Sequence, residues 1–196
     1  MVKPLTKEEL FYWKLKNDRV WYIESFLFIR DKKSNLIPFK LNDAQKIVEE
    51  KIKWCEKNNK LKRFIVLKAR QMGLSTLFEG LIFQDTSVNN FKNSMIIAHE
   101  DKATSNLFSM SKLFLDELPD VLRPMIKYSN EKALVFENPS NDLNEKQINP
   151  GLRSKITVAT AGTAEAGRSA TIHNLHASEV AFFPDARTTM LGLLQS

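Results

Sequence analysis

The sequence predicts an α/β protein in which helices flank a mainly parallel central sheet, with a helical N-terminal extension over residues 1–34 and the main domain over 35–196. Three observations carry this expectation. From residue 63 onward, short apolar runs alternate with longer stretches whose apolar residues recur at helical spacing, the pattern of crossover units on a parallel sheet. The run at 63–68 breaks at a basic, glycine-containing turn and resumes as a helix start. Before residue 60 the pattern is helical, with no internal repeat, low-complexity tract or Pro/Gly-rich linker.

The elements follow in order. Thr6 can cap a helix over 7–16, with Glu8 and Glu9 in the first turn where the helix dipole favours acid. The strongly apolar stretch 19–29 reads as a buried helix and 31–38 as a loop. Asn42 then caps a helix over 43–58 whose apolar positions Ala44, Ile47, Val48, Ile52 and Cys55 share a face. Strand 63–68, helix 75–88, strand 93–98 and helix 101–118 follow in alternation. Two further strands, 134–137 and 155–160, bracket an Asn- and Pro-rich loop as a hairpin-like excursion. A last strand at 171–177 and a short helix over 186–195 end the chain.

At 196 residues the chain can bury a proper core, and 43% hydrophobic with 27% charged residues suits a globular domain. No apolar run reaches about 18 residues, and Met1 to Glu9 has no signal-peptide core, so a cytoplasmic protein without a membrane partner is expected. A single cysteine, Cys55, excludes an intrachain disulfide and a thiolate metal cluster; its setting is that of a buried helical position. Charge is uneven. Residues 1–70 hold 18 Lys or Arg against 9 Asp or Glu, a net of +9, whereas residues 71–196 hold 11 against 14, a net of −3. A basic N-terminal third fits a polyanion such as nucleic acid, and equally a set of solvated surface lysines.

The segment Lys68-Ala69-Arg70-Gln71-Met72-Gly73-Leu74-Ser75-Thr76 joins a strand to a helix. Backbone N–H groups at a helix N-terminus are unpaired and partly positive, so this order of elements offers an anion site and suggests a nucleoside triphosphate. Set against G-x-x-x-x-G-K-[ST], Lys68 stands at the first glycine, Gly73 keeps the second, Leu74 replaces the lysine and Ser75 keeps the hydroxyl. Arg70 can supply the missing charge, since a guanidinium forks onto phosphate oxygens. The plainer alternative is an amphipathic connection with Lys68 and Arg70 in solvent. Residues 162–169 match the pattern better by letter, with Arg168 for the lysine, but the segment after them is short and β-branched and does not open a helix. The Gly73 loop therefore reads as the phosphate loop, and the Gly162 loop as a carrier of Arg168, which is either a solvated loop arginine or one that could stabilise transition-state charge.

A phosphate-loop hydrolase needs an acid at the end of a neighbouring strand. Glu179 follows the strand-like 171–177, with Ser178 where an aspartate is usual; serine can bond a metal-bound water but brings no charge. Glu179 as a helix-capping acid is the bland reading. Gln45 lies one helix before the loop, and its amide offers a donor and an acceptor side by side, suited to an adenine edge. His99, His173 and His176 show no ligand spacing with carboxylates and are expected to be structural, with no zinc site.

Together these residues resemble the ATPase domain of the tailed-phage terminase large subunit, the motor that pumps DNA into a procapsid. The likeness spans roughly 35–196 and rests on Leu41-Asn-Asp-Ala-Gln45 as the adenine motif, Lys68 to Thr76 as the family's deviant Walker A loop, and Leu175-His-Ala-Ser-Glu-Val-Ala181 as Walker B. The Gly167-Arg168 turn stands where the family is thought to carry an arginine finger. The resemblance implies a P-loop NTPase of the additional-strand, conserved-glutamate type using ATP and Mg²⁺. Lys68 to Thr76 would hold the nucleotide, with Arg70 on phosphates; Ser75, Ser178 and Glu179 would hold Mg²⁺; Glu179 would activate water and Arg168 would act in trans. It implies double-stranded DNA, a portal protein and a small terminase subunit as partners, a homo-oligomeric ring, and action in the host cytoplasm at the procapsid. The family's coupling motif and nuclease domain have no counterpart here, so a truncated gene or excised domain without nuclease activity is expected. The alternative is a catalytically inactive P-loop module that binds DNA or assembles with packaging partners.

Overall fold

Reciprocal caps start the first helix. In the computed structural model, which describes residues 5–69, 71–162 and 171–194, α1 (Lys7–Asn17) opens at Thr6, whose hydroxyl accepts the Glu9 N–H while the Glu9 carboxylate accepts the Thr6 N–H. α2 (Arg19–Phe26) is capped by Asp18 and buries Tyr22 and Ile23. The helix expected through 29 stops short, because Leu27 turns extended and Phe28–Arg30 (β1) pairs antiparallel with Leu36–Pro38 (β2). Asp31 makes this hairpin by accepting the N–H groups of Lys33 and Asn35, with Ser34 at φ +64°. What read as a plain loop is a turn and a strand.

α3 (Asp43–Lys57) starts at Asn42 as expected, and it buries Gln45, Glu49, Ile52 and Cys55 while Ile47 faces solvent. α4 (Leu74–Val88), β3 (Asn93–Ala98) and α5 (Asp101–Glu117) lie where the spacing placed them. A short 3₁₀ turn leads to β4 (Tyr128–Ser129) and β5 (Ala133–Phe136), then α6 (Leu143–Ile148) and β6 (Ser154–Thr160). β7 (Asn174–Ala177), a second 3₁₀ turn over Val180–Phe182 and α7 (Ala186–Leu194) end the described chain.

The main sheet has the order β4-β5-β6-β3-β7. β3 pairs parallel with β6 and with β7, but β5 pairs antiparallel with β4 and with β6. The sheet is thus mixed, with two parallel and two antiparallel pairings: the two strands of the hairpin-like excursion became β5 and β6, and β4, which was not expected, pairs on the outer side of β5. The expected strand at 63–68 is not in it. Residues 61–69 form no strand and make no backbone hydrogen bond to another described residue, and Ile65 and Leu67 are fully exposed. A β-prone sequence becomes a strand only where a neighbour offers its ladder, and none does here.

One core joins the layers. Leu77 and Phe83 of α4 are fully buried among Phe114 of α5, Ile96, Phe136 and Ile156 of the sheet, and Tyr22, Ile23 and Leu27 from the N-terminal stretch. From residues 5–34, Leu15, Tyr22, Ile23 and Leu27 belong to this core. At Gly80 a Cβ would stand 3.2 Å from Phe39, so the glycine lets α4 approach that ring closely. A smaller cluster of Ile97, Ala161, Phe183 and Leu193 sits beneath α7.

Candidate phosphate loop and strand-end carboxylate

The loop before α4 is shaped by two left-handed residues, Gln71 at φ +63° and Gly73 at φ +69°. Gly73 is the N-cap of α4 and no side chain caps that helix, so the first-turn N–H groups lack a side-chain acceptor. From α3, Gln45 Nε2 donates to the Gly73 carbonyl at 2.7 Å and Asn42 Nδ2 to the Met72 carbonyl at 3.2 Å. A Cβ on Gly73 would lie 2.9 Å from Gln45 Nε2. Glycine is therefore required here both for its φ and for its missing side chain.

Other loop residues divide by environment. Lys68, Ala69 and Gln71 are exposed, and Gln71 Oε1 accepts from Lys32. Met72, Ser75 and Thr76 are half-buried. Leu74, in the position of the usual lysine, is 3% exposed and belongs to the main core. Its side chain points into the protein, which is why an apolar residue stands there. Gln45 is 3% exposed, with Oε1 accepting the Asn42 N–H and Nε2 spent on Gly73. As placed it braces the loop and presents no edge to an adenine. Arg70 and Arg168, with the rest of 163–170, lie outside the described residues.

Glu179 stands just past β7. The parallel register sets Ile97 opposite Ala177, and the Ser178 N–H donates to the Ile97 carbonyl at 2.8 Å, which fixes where the strand releases Glu179. Ser178 is half-buried. Glu179 adopts φ +58°, ψ +42°, a conformation few side-chain-bearing residues hold, and its side chain is 53% exposed. Its Oε2 lies 3.2 Å from His99 Nδ1. That is ion-pair distance without hydrogen-bond alignment, since Nδ1 is buried and makes no hydrogen bond among the described residues.

Two polar ties relate the loop to this carboxylate. His176 Nδ1 meets Glu79 Oε1 at 2.6 Å, and Asn174 Nδ2 donates to Asp85 Oδ2 at 2.7 Å. Advancing along β7 from Asn174 to His176 thus retreats along α4 from Asp85 to Glu79, so helix and strand run antiparallel. From the Glu79 level the start of α4 is about 7–8 Å further on, and from the His176 level Glu179 is about 10 Å further in the same direction. The uncapped helix start and Glu179 occupy one end of the sheet, the carboxyl end of its parallel strands, where open α/β sheets place their ligands. Burial raises the Glu79 carboxyl above its ordinary range, with His176 and Ser111 offsetting part of the effect.

Sequence reasoning passed over His99 and His176 because it looked for spacing within one element. Their carboxylate partners are 80 and 97 residues away in the chain, and only strand register and helix docking bring them together. Among the described residues no group of three or more His, Cys, Asp or Glu could hold a metal alone. The residues at the loop end suit a different mode of Mg²⁺ binding, in which one hydroxyl and one carboxylate act beside substrate phosphates. Among the described residues no helix is long and apolar enough to cross a membrane.

Fold and site define an α/β protein with a mixed five-stranded sheet flanked by helices, and with a glycine loop and a carboxylate at the same end of that sheet. The chain matches no protein-family model, and no curated protein matches it.

Proposed function

We propose that this chain is the ATPase domain of a terminase-type DNA-packaging motor, a P-loop ATPase that hydrolyses ATP to drive double-stranded DNA into a procapsid. The observation that carries the reading is the antiparallel docking of α4 on β7, which sets the uncapped start of the Gly73 loop helix and Glu179 at the same end of the sheet. The first-turn N–H groups of α4 would bind phosphate oxygens. The Ser75 hydroxyl would hold Mg²⁺, with Ser178 and Glu179 reaching it through water; bound there, Mg²⁺ neutralises charge on the transferring phosphoryl group. Glu179, half exposed, would orient the attacking water and take its proton. Because Leu74 is turned into the core, positive charge must come from Arg70 within the loop and Arg168, in its own or a neighbouring subunit.

The wider assembly belongs to the same proposal: a homo-oligomeric ring on a portal, a small terminase subunit, and action in the host cytoplasm at the procapsid. Its support is the likeness of the motifs, together with the net +9 over residues 1–70 for contact with DNA. A second reading, an inactive module that binds DNA or packaging partners, is favoured by Leu74 and by the unpaired 61–69 segment. Calorimetric titration with ATP and Mg²⁺ separates the two. Saturable binding is expected, and its absence at millimolar nucleotide would make the module the better account.

A further inference from the structure

His99 follows β3 as Glu179 follows β7. The two strands are parallel neighbours with Ile97 opposite Ala177, and residues two apart in a strand share a face. One step of that period beyond the last pair stand His99 and Glu179, so the sheet itself brings imidazole and carboxylate together. The contact, Nδ1 to Oε2 at 3.2 Å, has the length of a hydrogen bond without its alignment, which a turn of the exposed carboxylate would supply. Nδ1 is closed to solvent and makes no hydrogen bond among the described residues, so the anion it approaches is Glu179. The ring is fixed from elsewhere: it packs on Phe182 with centroids 5.6 Å apart, and Nε2 lies 3.8 Å from Glu100 Oε1. Glu179, by contrast, is half exposed and leaves a left-handed backbone residue. A half-exposed carboxylate thus faces a packed imidazole.

We propose that His99 is a positioning residue for Glu179: its Nδ1–H holds the carboxylate over the carboxyl end of the sheet, the end at which the Gly73 loop also lies. This rests on the ATPase reading, in which Glu179 takes the proton of the attacking water. A held carboxylate meets that water at a fixed angle, whereas a free one samples many, and small misplacements of a reacting group are costly in rate. A histidine that merely filled space would need only bulk at this position. A positioning histidine needs a donor at the site of Nδ1, which the Asn Nδ2 can supply and Leu cannot.

The test therefore uses H99N and H99L beside wild type and E179A. H99L should lower kcat for ATP about 10–100-fold and leave the ATP dissociation constant within about twofold, while H99N recovers most of the lost rate. Thermal melting checks that both variants are folded. An activity-independent reading comes from ¹⁵N imidazole spectra of the nucleotide-free protein, in which His99 carries its proton on Nδ1 in wild type and moves to the Nε2–H form in E179A. H99L turning over as fast as an active wild type, or His99 spectra unchanged in E179A, would overturn the proposal. A wild type that neither binds nor hydrolyses ATP would instead bring down the ATPase reading, and the base-positioning role with it.

Discussion

Gly73 and Leu74 are adjacent letters of one motif with opposite duties. Gly73 shapes the loop: its φ of +69° strains any other residue, and a Cβ 2.9 Å from Gln45 Nε2 would push that amide aside. Gly73→Ala should cost about 1–2 kcal/mol of stability and weaken nucleotide binding, because the strain falls on the residue that begins the helix. Leu74 is a core residue that stands at a motif position. Leu74→Lys restores the common spelling, yet it should destabilise the fold by about 2–4 kcal/mol, since it removes a buried leucine and forces an ammonium toward the core. Chemical unfolding of both variants is the check, and a Leu74→Lys protein as stable as wild type would refute the placement of that side chain. The sequence showed that the lysine was missing. It could not show why, because burial at a helix's first residue depends on what the helix packs against.

At the scale of elements, α4 and β7 are the pair that makes the site. Their spans were legible as helical spacing over 75–88 and a β-prone run over 171–177, but the ties between them were not. Glu79 is fully buried against His176, and burial raises its carboxyl above the ordinary value of 4.5. A raised value means the folded chain holds the proton more tightly than the unfolded chain. That contribution is complete below the ordinary carboxylate range and is lost as pH rises through the raised value. Glu79→Gln keeps a neutral hydrogen-bonding group there, so its stability should be flatter with pH on the alkaline side of 4.5 than that of wild type. Glu79→Ala leaves a cavity and an unmatched imidazole, and should cost about 2–4 kcal/mol. Urea unfolding across that pH range reads both. The strand expected at 63–68 is the counterexample: its composition is right for a strand, but β-structure depends on a partner and no described strand lies beside it.

For the whole molecule, the N-terminal helices and α3 are bound into the same body as the sheet. Arg19 of α2 bonds Glu49 of α3 at 2.9 Å and grips both oxygens of Glu56. The Arg19 guanidinium, with Lys62 assisting, holds the Glu56 carboxyl down at about 2 against the opposing effect of burial. Stability from this group is full above its ordinary value of 4.5 and drains away as pH falls toward 2. Glu56 is 38% exposed, so its share is about 1 kcal/mol or less after screening by solvent. Arg19→Ala should cost more, about 2–3 kcal/mol, because Glu49, which is 4% exposed, then keeps only Lys53, at 3.6 Å, among the described residues. Acid titrations of Glu56→Gln and Arg19→Ala by circular dichroism test this, the former with a shallower acid limb. The helices other than α6, which lies in a stretch expected as loop, and the loop at Gly73 could be read from local pattern. Sheet order, the antiparallel β4-β5-β6 edge and the histidine–carboxylate pairs could not, since each joins residues distant in the chain.

The central claim is that the Gly73 loop and Glu179 form one nucleotide-hydrolysing site. Steady-state hydrolysis of ATP, with and without Mg²⁺, in wild type and in Glu179→Gln tests it most directly. The account predicts Mg²⁺-dependent turnover that falls at least about 100-fold in Glu179→Gln while ATP affinity is retained; turnover in pure Glu179→Gln equal to wild type would contradict it.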